Sequence, residues 1–184
     1  MWTKKEQKAV EFSFKAHKNQ KRKGAKISYV SHPMIVGLIL AKLQADEDLI
    51  IAGILHDVIE DTEFTKKEIM DNFGKEVAEM VDEVSESDRD LPYGERKERA
   101  AAKLYTVSDR AILIKAADVL SNMTDLSNDL ERRGEESFEI FHTGKNQKIR
   151  QLERVVKILS LRLTDEELIK KLKDTFKEIE KYAD

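Results

Sequence analysis

Residues 49–61 read Leu49-Ile50-Ile51-Ala52-Gly53-Ile54-Leu55-His56-Asp57-Val58-Ile59-Glu60-Asp61. The run from Leu49 to Leu55 is almost wholly apolar, so a helix built on it must be buried. Asp46 stands where a cap is wanted, and Glu47 and Asp48 complement the dipole of the first turn. The same helix is expected to carry His56, Asp57, Glu60 and Asp61 at its end. His56 and Glu60 are four apart, as are Asp57 and Asp61, which sets their side chains over one another. An acidic helix end is commonly just solvated. Here three carboxylates and an imidazole crowd the end of a buried helix, where desolvation is costly and the dipole opposes negative charge. A bound divalent cation relieves both problems.

The rest of the chain is consistent with helices throughout. Only 2 prolines and 7 glycines occur in 184 residues, too few for the many turns of a strand-rich fold. Amphipathic or apolar helices are predicted over about 4–19, 33–43, 65–73, 75–86, 92–105, 111–130, 145–161 and 164–182. Pro33 suits a first helical turn, Thr65 a cap, and Thr164-Asp165-Glu166-Glu167 a capping box. A polar run from Ser85 to Asp90 separates two of these helices. No repeat or linker composition interrupts the chain, so the expectation is one all-α domain over 1–184 with eight to ten helices.

Composition narrows the chemistry. There are no cysteines, which excludes a disulfide scaffold, thiolate-bound zinc, iron–sulfur clusters and a thiol nucleophile. Basic and acidic residues nearly balance at 33 and 36, which gives no support for binding a nucleic acid polymer. The start, Met-Trp-Thr-Lys-Lys-Glu, has no apolar signal core, and Met34–Leu43 is too short to span a bilayer. A cytoplasmic protein without membrane association is expected.

Two further places put polar residues where a helical core prefers apolar ones. His32 precedes Pro33, at a junction where the backbone is biased towards an extended form; alone, such a histidine is more often structural. Asp118 follows two alanines inside Ala111-Ile112-Leu113-Ile114-Lys115-Ala116-Ala117-Asp118-Val119-Leu120, with Asn122 and Asp125 continuing a polar stripe. Taken together, these places suggest a metal site of His32, His56, Asp57 and Asp118. Mixed nitrogen and oxygen ligands suit Mn2+, Fe2+ or Zn2+. Such an ion lowers the pKa of bound water and activates it towards phosphorus.

The order of these residues resembles the HD-domain metal phosphohydrolases. The flanking segments narrow the resemblance: Ala16-His17-Lys18-Asn19-Gln20-Lys21-Arg22-Lys23-Gly24, Tyr29-Val30-Ser31-His32-Pro33, Leu55-His56-Asp57-Val58-Ile59-Glu60-Asp61-Thr62, Phe73-Gly74 and Lys115-Ala116-Ala117-Asp118-Val119-Leu120-Ser121-Asn122 follow in order. They look like the hydrolase domain of RelA/SpoT-type enzymes and the small alarmone hydrolases, including metazoan SpoT homologues, over about residues 5–160. The resemblance implies an HD-type helical bundle, completed by the helices of 145–184, and Mn2+ held by His32, His56, Asp57 and Asp118. It also implies that Glu60 and Asp61 handle water and proton transfer, with their separate roles open. The implied reaction removes pyrophosphate from the 3′ position of (p)ppGpp, a small nucleotide substrate.

A polyanionic substrate needs cations. Basic runs are most often solvated, but Arg22 and Lys23 match the family motif and are assigned to phosphate binding. Asn122 matches a position near the nucleotide sugar and metal, and Lys97, or its neighbour Arg96, a basic position of the family. Several residues depart from the family pattern: Ser28 stands for the usual proline before the motif tyrosine, the segment from Gly24 to Tyr29 is longer, Val119 replaces a basic residue, and the helix over 145–161 lacks an aromatic residue. These changes touch recognition rather than the metal ligands. Two other readings therefore stand beside the first: an HD phosphohydrolase for another nucleotide or phosphate ester, and a non-catalytic nucleotide-binding protein.

Overall fold

The computed structural model describes residues 3–24, 26–86, 90–141 and 143–184. Of the polar run expected between Ser85 and Asp90, residues 87–89 lie outside the described residues, as do the first two residues of the N-terminal segment. The fold is all-α. Helices α1 (Lys4–Ala16), α2 (Ser31–Lys42), α3 (Glu47–Leu55), α4 (Val58–Asp61), α5 (Lys66–Phe73), α6 (Lys75–Val84), α7 (Tyr93–Lys103), α8 (Asp109–Arg133), α9 (Lys145–Arg162) and α10 (Glu166–Glu180) follow in order, with a 3-10 turn at Gly134–Phe138. Among the described residues the one β pairing is an antiparallel bridge between Lys21 and Ser28. Among the described residues no helix is long and apolar enough to cross a membrane.

The chain divides into two compact units, Met1–Arg89 with Val107–Asp118, and Asp90–Thr106 with Val119–Asp184. The first is built around α3, whose residues from Ile51 to Leu55 are all buried. α3 packs on α1, α2 and α6. Its approach to α2 is close because glycines face it: a Cβ on Gly37 would lie 2.6 Å from Ile54 Cγ1, and one on Gly53 2.4 Å from Leu40 Cδ1. Phe12 of α1 closes one edge, its ring 4.7 Å from that of Phe64 and 5.5 Å from that of Phe73. Gly74, at φ 97°, ends α5 and opens α6.

In the second unit α9 pairs with α10. Ile149, Leu152, Val156 and Leu159 are buried on α9, and Leu168, Leu172, Phe176 and Ile179 on α10, each at helical spacing. α7 joins α9 through Arg154 and Glu98, and Arg162 Nη1 donates to the Leu104 carbonyl at 2.7 Å.

Several helix ends fall where side chains cap them. Asp46 accepts from the Leu49 amide, Thr65 forms a capping box with Glu68, and Ser108 Oγ accepts from the Ala111 amide at 3.2 Å. Three details differ from the sequence expectation. Asp165, not Thr164, caps α10, accepting from Leu168. α2 begins at Ser31, so His32 lies within its first turn; Pro33 lacks an N–H that this turn would leave unpaired anyway, which offsets the extended bias on the residue before it. Finally, the helix through residues 49–61 is interrupted at His56-Asp57, giving α3 and the short α4.

Candidate metal centre

The interruption at His56-Asp57 builds the site. In a continuous helix adjacent side chains diverge around the axis. At the break, Asp57 takes φ −93° and ψ −4°, and both side chains reach one point: His56 Nε2 is 3.1 Å from Asp57 Oδ2. His32 arrives from the first turn of α2, its Nε2 3.6 Å from the same oxygen. Asp118 arrives from α8, its Oδ1 3.2 Å from His32 Nε2 and 3.8 Å from His56 Nε2. Donor atoms of His32, His56 and Asp118 all lie within 4.8 Å of one another. The three residues are buried, at 2 %, 3 % and 6 % exposure, and Asp57 is partly buried.

This donor set fits a divalent cation. An ion with ligand bonds of about 2.1 Å sets neighbouring donors about 3 Å apart, close to the separations here. His56 Nδ1 bonds the Gly53 carbonyl at 2.8 Å. A carbonyl only accepts, so Nδ1 carries the proton and Nε2 presents its lone pair inwards. That Nε2 is buried and has no partner of hydrogen-bond geometry. Burial alone would lower the His56 pKa, but Asp57 and Asp118 outweigh it and push it up to about 9. Asp57 is held below the usual carboxylate range against burial, chiefly by His56, and Asp118 against burial, chiefly by Lys115.

Lys115 and Tyr29 belong to this environment although the sequence assigned them no role. Lys115 Nζ lies 2.8 Å from Asp118 Oδ2, and its pKa is raised despite burial by Asp118 and Glu60. The Tyr29 hydroxyl lies 2.5 Å from Asp57 Oδ2 and 3.0 Å from Asp61 Oδ2. Burial and these carboxylates raise its pKa, so the phenol keeps its proton. Lys115 stands three before Asp118 and Tyr29 three before His32, so each comes within one helical turn of a ligand. That spacing was the available signal.

Glu60 and Asp61 sit on α4 at the edge of the centre. Glu60 is half-buried, and its Oε2 accepts from the Glu86 amide at 3.1 Å. Burial raises its pKa, with Lys115 working against the shift. Asp61 is exposed. The other predicted residues are distributed as follows. Arg22 and Lys23 lie on the loop closed by the Lys21–Ser28 bridge, where Tyr29 N–H donates to the Gln20 carbonyl at 3.1 Å and Arg22 N–H to the Ile27 carbonyl at 3.2 Å. Arg22 is half-buried with its guanidinium 5.8 Å from the Tyr29 ring; Lys23 is exposed. Asn122 and Lys97 belong to the second unit, Asn122 exposed on α8 and Lys97 on α7 with its Nζ 5.6 Å from the Tyr93 ring. The first unit does not include them.

Comparison with known proteins gives the family. Residues 9–143 match the HD domain family. The chain is 38% identical over 136 residues to guanosine-3′,5′-bis(diphosphate) 3′-pyrophosphohydrolase of Haemophilus influenzae, covering 68% of this chain and 20% of that protein. It is 40% identical over 136 residues to the bifunctional (p)ppGpp synthase/hydrolase SpoT of Escherichia coli, covering 68% and 19%. The chain thus spans about a fifth of the length of these curated relatives. Among solved structures, a metazoan ortholog of SpoT that hydrolyses ppGpp and plays a role in starvation responses superposes with a TM-score of 0.82 at 28% identity, covering 97% of both chains. A family match running through all four residues of the cluster, and an all-helical fold shared along nearly the whole length, show that this chain belongs to the HD domain family.

Proposed function

We propose that this protein is a Mn2+-dependent pyrophosphohydrolase of (p)ppGpp, acting as one HD-type domain and releasing pyrophosphate with GDP or GTP. The observation that carries this reading is the meeting of His32, His56, Asp57 and Asp118 around one point with Glu60 and Asp61 beside it. The names of the similar proteins support the substrate. A cytoplasmic enzyme acting on a small nucleotide is the setting this reading implies.

His32, His56, Asp57 and Asp118 would hold the ion. A divalent metal there supplies acidified water and charge neutralisation at phosphorus. The water oxygen bonds to the phosphorus carried on ribose O3′, the P–O3′ bond breaks, and O3′ takes up a proton. Glu60, with its raised pKa, suits the proton donor; Asp61, exposed and oriented by Tyr29, suits the acceptor of the water proton. Asp57, Asp61 and Asp118 together exceed Lys115 in charge, an excess that a divalent cation offsets. Arg22 and Lys23 provide cations for the substrate phosphates on the loop leading into His32. The assignment of Asn122 and Lys97 to nucleotide binding rests on the sequence resemblance.

The test is incubation of the purified protein and Mn2+ with ppGpp, deoxynucleoside triphosphates, nucleoside monophosphates and NADPH. Pyrophosphate released from ppGpp is the expected result. Phosphate released from another compound with ppGpp intact moves the assignment to a different HD phosphohydrolase. Tight ppGpp binding without turnover makes the protein a nucleotide-binding module.

A further inference from the structure

Asp61 sits in a poor place for a precise task. α4 has four residues, one of them buried, and its N-cap Asp57 makes no side-chain cap bond. A helix this short has little stability of its own. Two side chains from the preceding loop nevertheless hold Asp61 at both ends. Gln20 Nε2 donates to the Asp61 carbonyl at 2.6 Å, and the Tyr29 hydroxyl, its one proton shared with Asp57 Oδ2 at 2.5 Å, lies 3.0 Å from the Asp61 carboxylate.

The orientation of Gln20 is set by elimination. The Asp61 carbonyl only accepts, so the amide nitrogen must face it. The amide oxygen then faces His17 Nδ1, 2.7 Å away, and that nitrogen must donate. His17 is fully buried at the C-cap of α1, and its ring lies 4.9 Å from that of Tyr29. The main chain closes the arrangement, with Gln20 N–H donating to the His17 carbonyl at 3.0 Å and Tyr29 N–H to the Gln20 carbonyl at 3.1 Å. Arg22 and Lys23 hang from the same closed loop.

We propose that Gln20 and Tyr29 are positioning residues for Asp61, clamping its main chain and its carboxylate to the base of the phosphate-binding loop. The base of the loop, at Gln20 and Tyr29, and the proton-transfer group then move as one, and substrate held by Arg22 and Lys23 is registered against Asp61. The kinetic part rests on the hydrolase reading above; the mechanical part does not.

The experiment uses the full chain as wild type, Tyr29→Phe and Gln20→Met, both close in shape to the native residues. Amide exchange is measured without metal, and Mn2+ stoichiometry and ppGpp kinetics with it. The expected result is exchange across residues 58–62 at least about tenfold faster in each variant, with α3 and α5 unchanged. One bound Mn2+ should remain, and kcat should fall at least about tenfold with KM within about twofold. A loose packing defect would instead raise exchange throughout the unit or move KM. Unchanged exchange, an unchanged kcat, or loss of Mn2+ from Tyr29→Phe (which would place its role at Asp57) overturns the proposal. If the wild type does not turn over ppGpp, the hydrolase reading fails while the exchange measurement still decides the clamp.

Discussion

On the proposed function, a proton and a metal ion would compete for one nitrogen at His56. In the metal-free protein its pKa rises from 6.5 to about 9, so its stabilising contribution is complete below pH 6.5 and lost as pH climbs through 9. A bound cation replaces that proton. The rise in Tm on adding Mn2+ should therefore be larger at pH 8.5 than at pH 6.5, read by thermal unfolding with Mn2+ or chelator; equal shifts would mean that His56 does not compete. Two substitutions separate holding the ion from using it. Asp118→Ala should abolish Mn2+ binding and, with it, turnover. Asp61→Ala should retain the ion and lose on the order of a hundredfold or more in kcat, the usual range for a proton-transfer group. Calorimetric titration of Mn2+ into both variants checks the distinction. The four proposed ligands were legible as candidates because each is polar within or beside an apolar run. The contribution of Tyr29 was not, since its partners Asp57 and Asp61 are chosen by how the loop folds back, whereas Lys115 was signalled only by its place one turn before Asp118.

At the level of elements, caps were the most readable feature: Asp46 and Thr65 act as their types and neighbours dictate. The break at His56-Asp57 was hidden because the apolar pattern runs on through Val58 and Ile59. Nothing in periodicity marks the one joint where two adjacent side chains must meet. The close crossing of α2 and α3 carries a prediction of its own. Alanine at position 37 favours helix by about 1 kcal/mol, but its Cβ would press on Ile54 Cγ1, and overpacking typically costs about 1–3 kcal/mol. Gly37→Ala should thus lower the urea midpoint and weaken Mn2+ binding, because α3 leads directly into His56. A variant more stable than wild type would contradict the crossing described.

For the whole molecule, the all-helical character followed from few breakers and long charged and apolar periodicity. The division into two compact units did not, because each unit is drawn from two separate stretches of chain, and no local composition states which stretches pack together. An ion held by the proposed ligands would tie together parts of the first unit drawn from both of its chain segments. Saturating Mn2+ at about a hundred times its Kd should stabilise the protein by roughly 2.7 kcal/mol. A chelator should remove that increment in wild type and have no effect on Asp118→Ala, as scanning calorimetry would show.

Asp118 enters the centre on a helix that follows α7, long after His56 has left the ribosome. During synthesis, His32, His56 and Asp57 wait as an incomplete set until α8 emerges. On the proposed function, capture of the ion would then be a late event in biogenesis, and a nascent product truncated before α8 would lack one of its ligands.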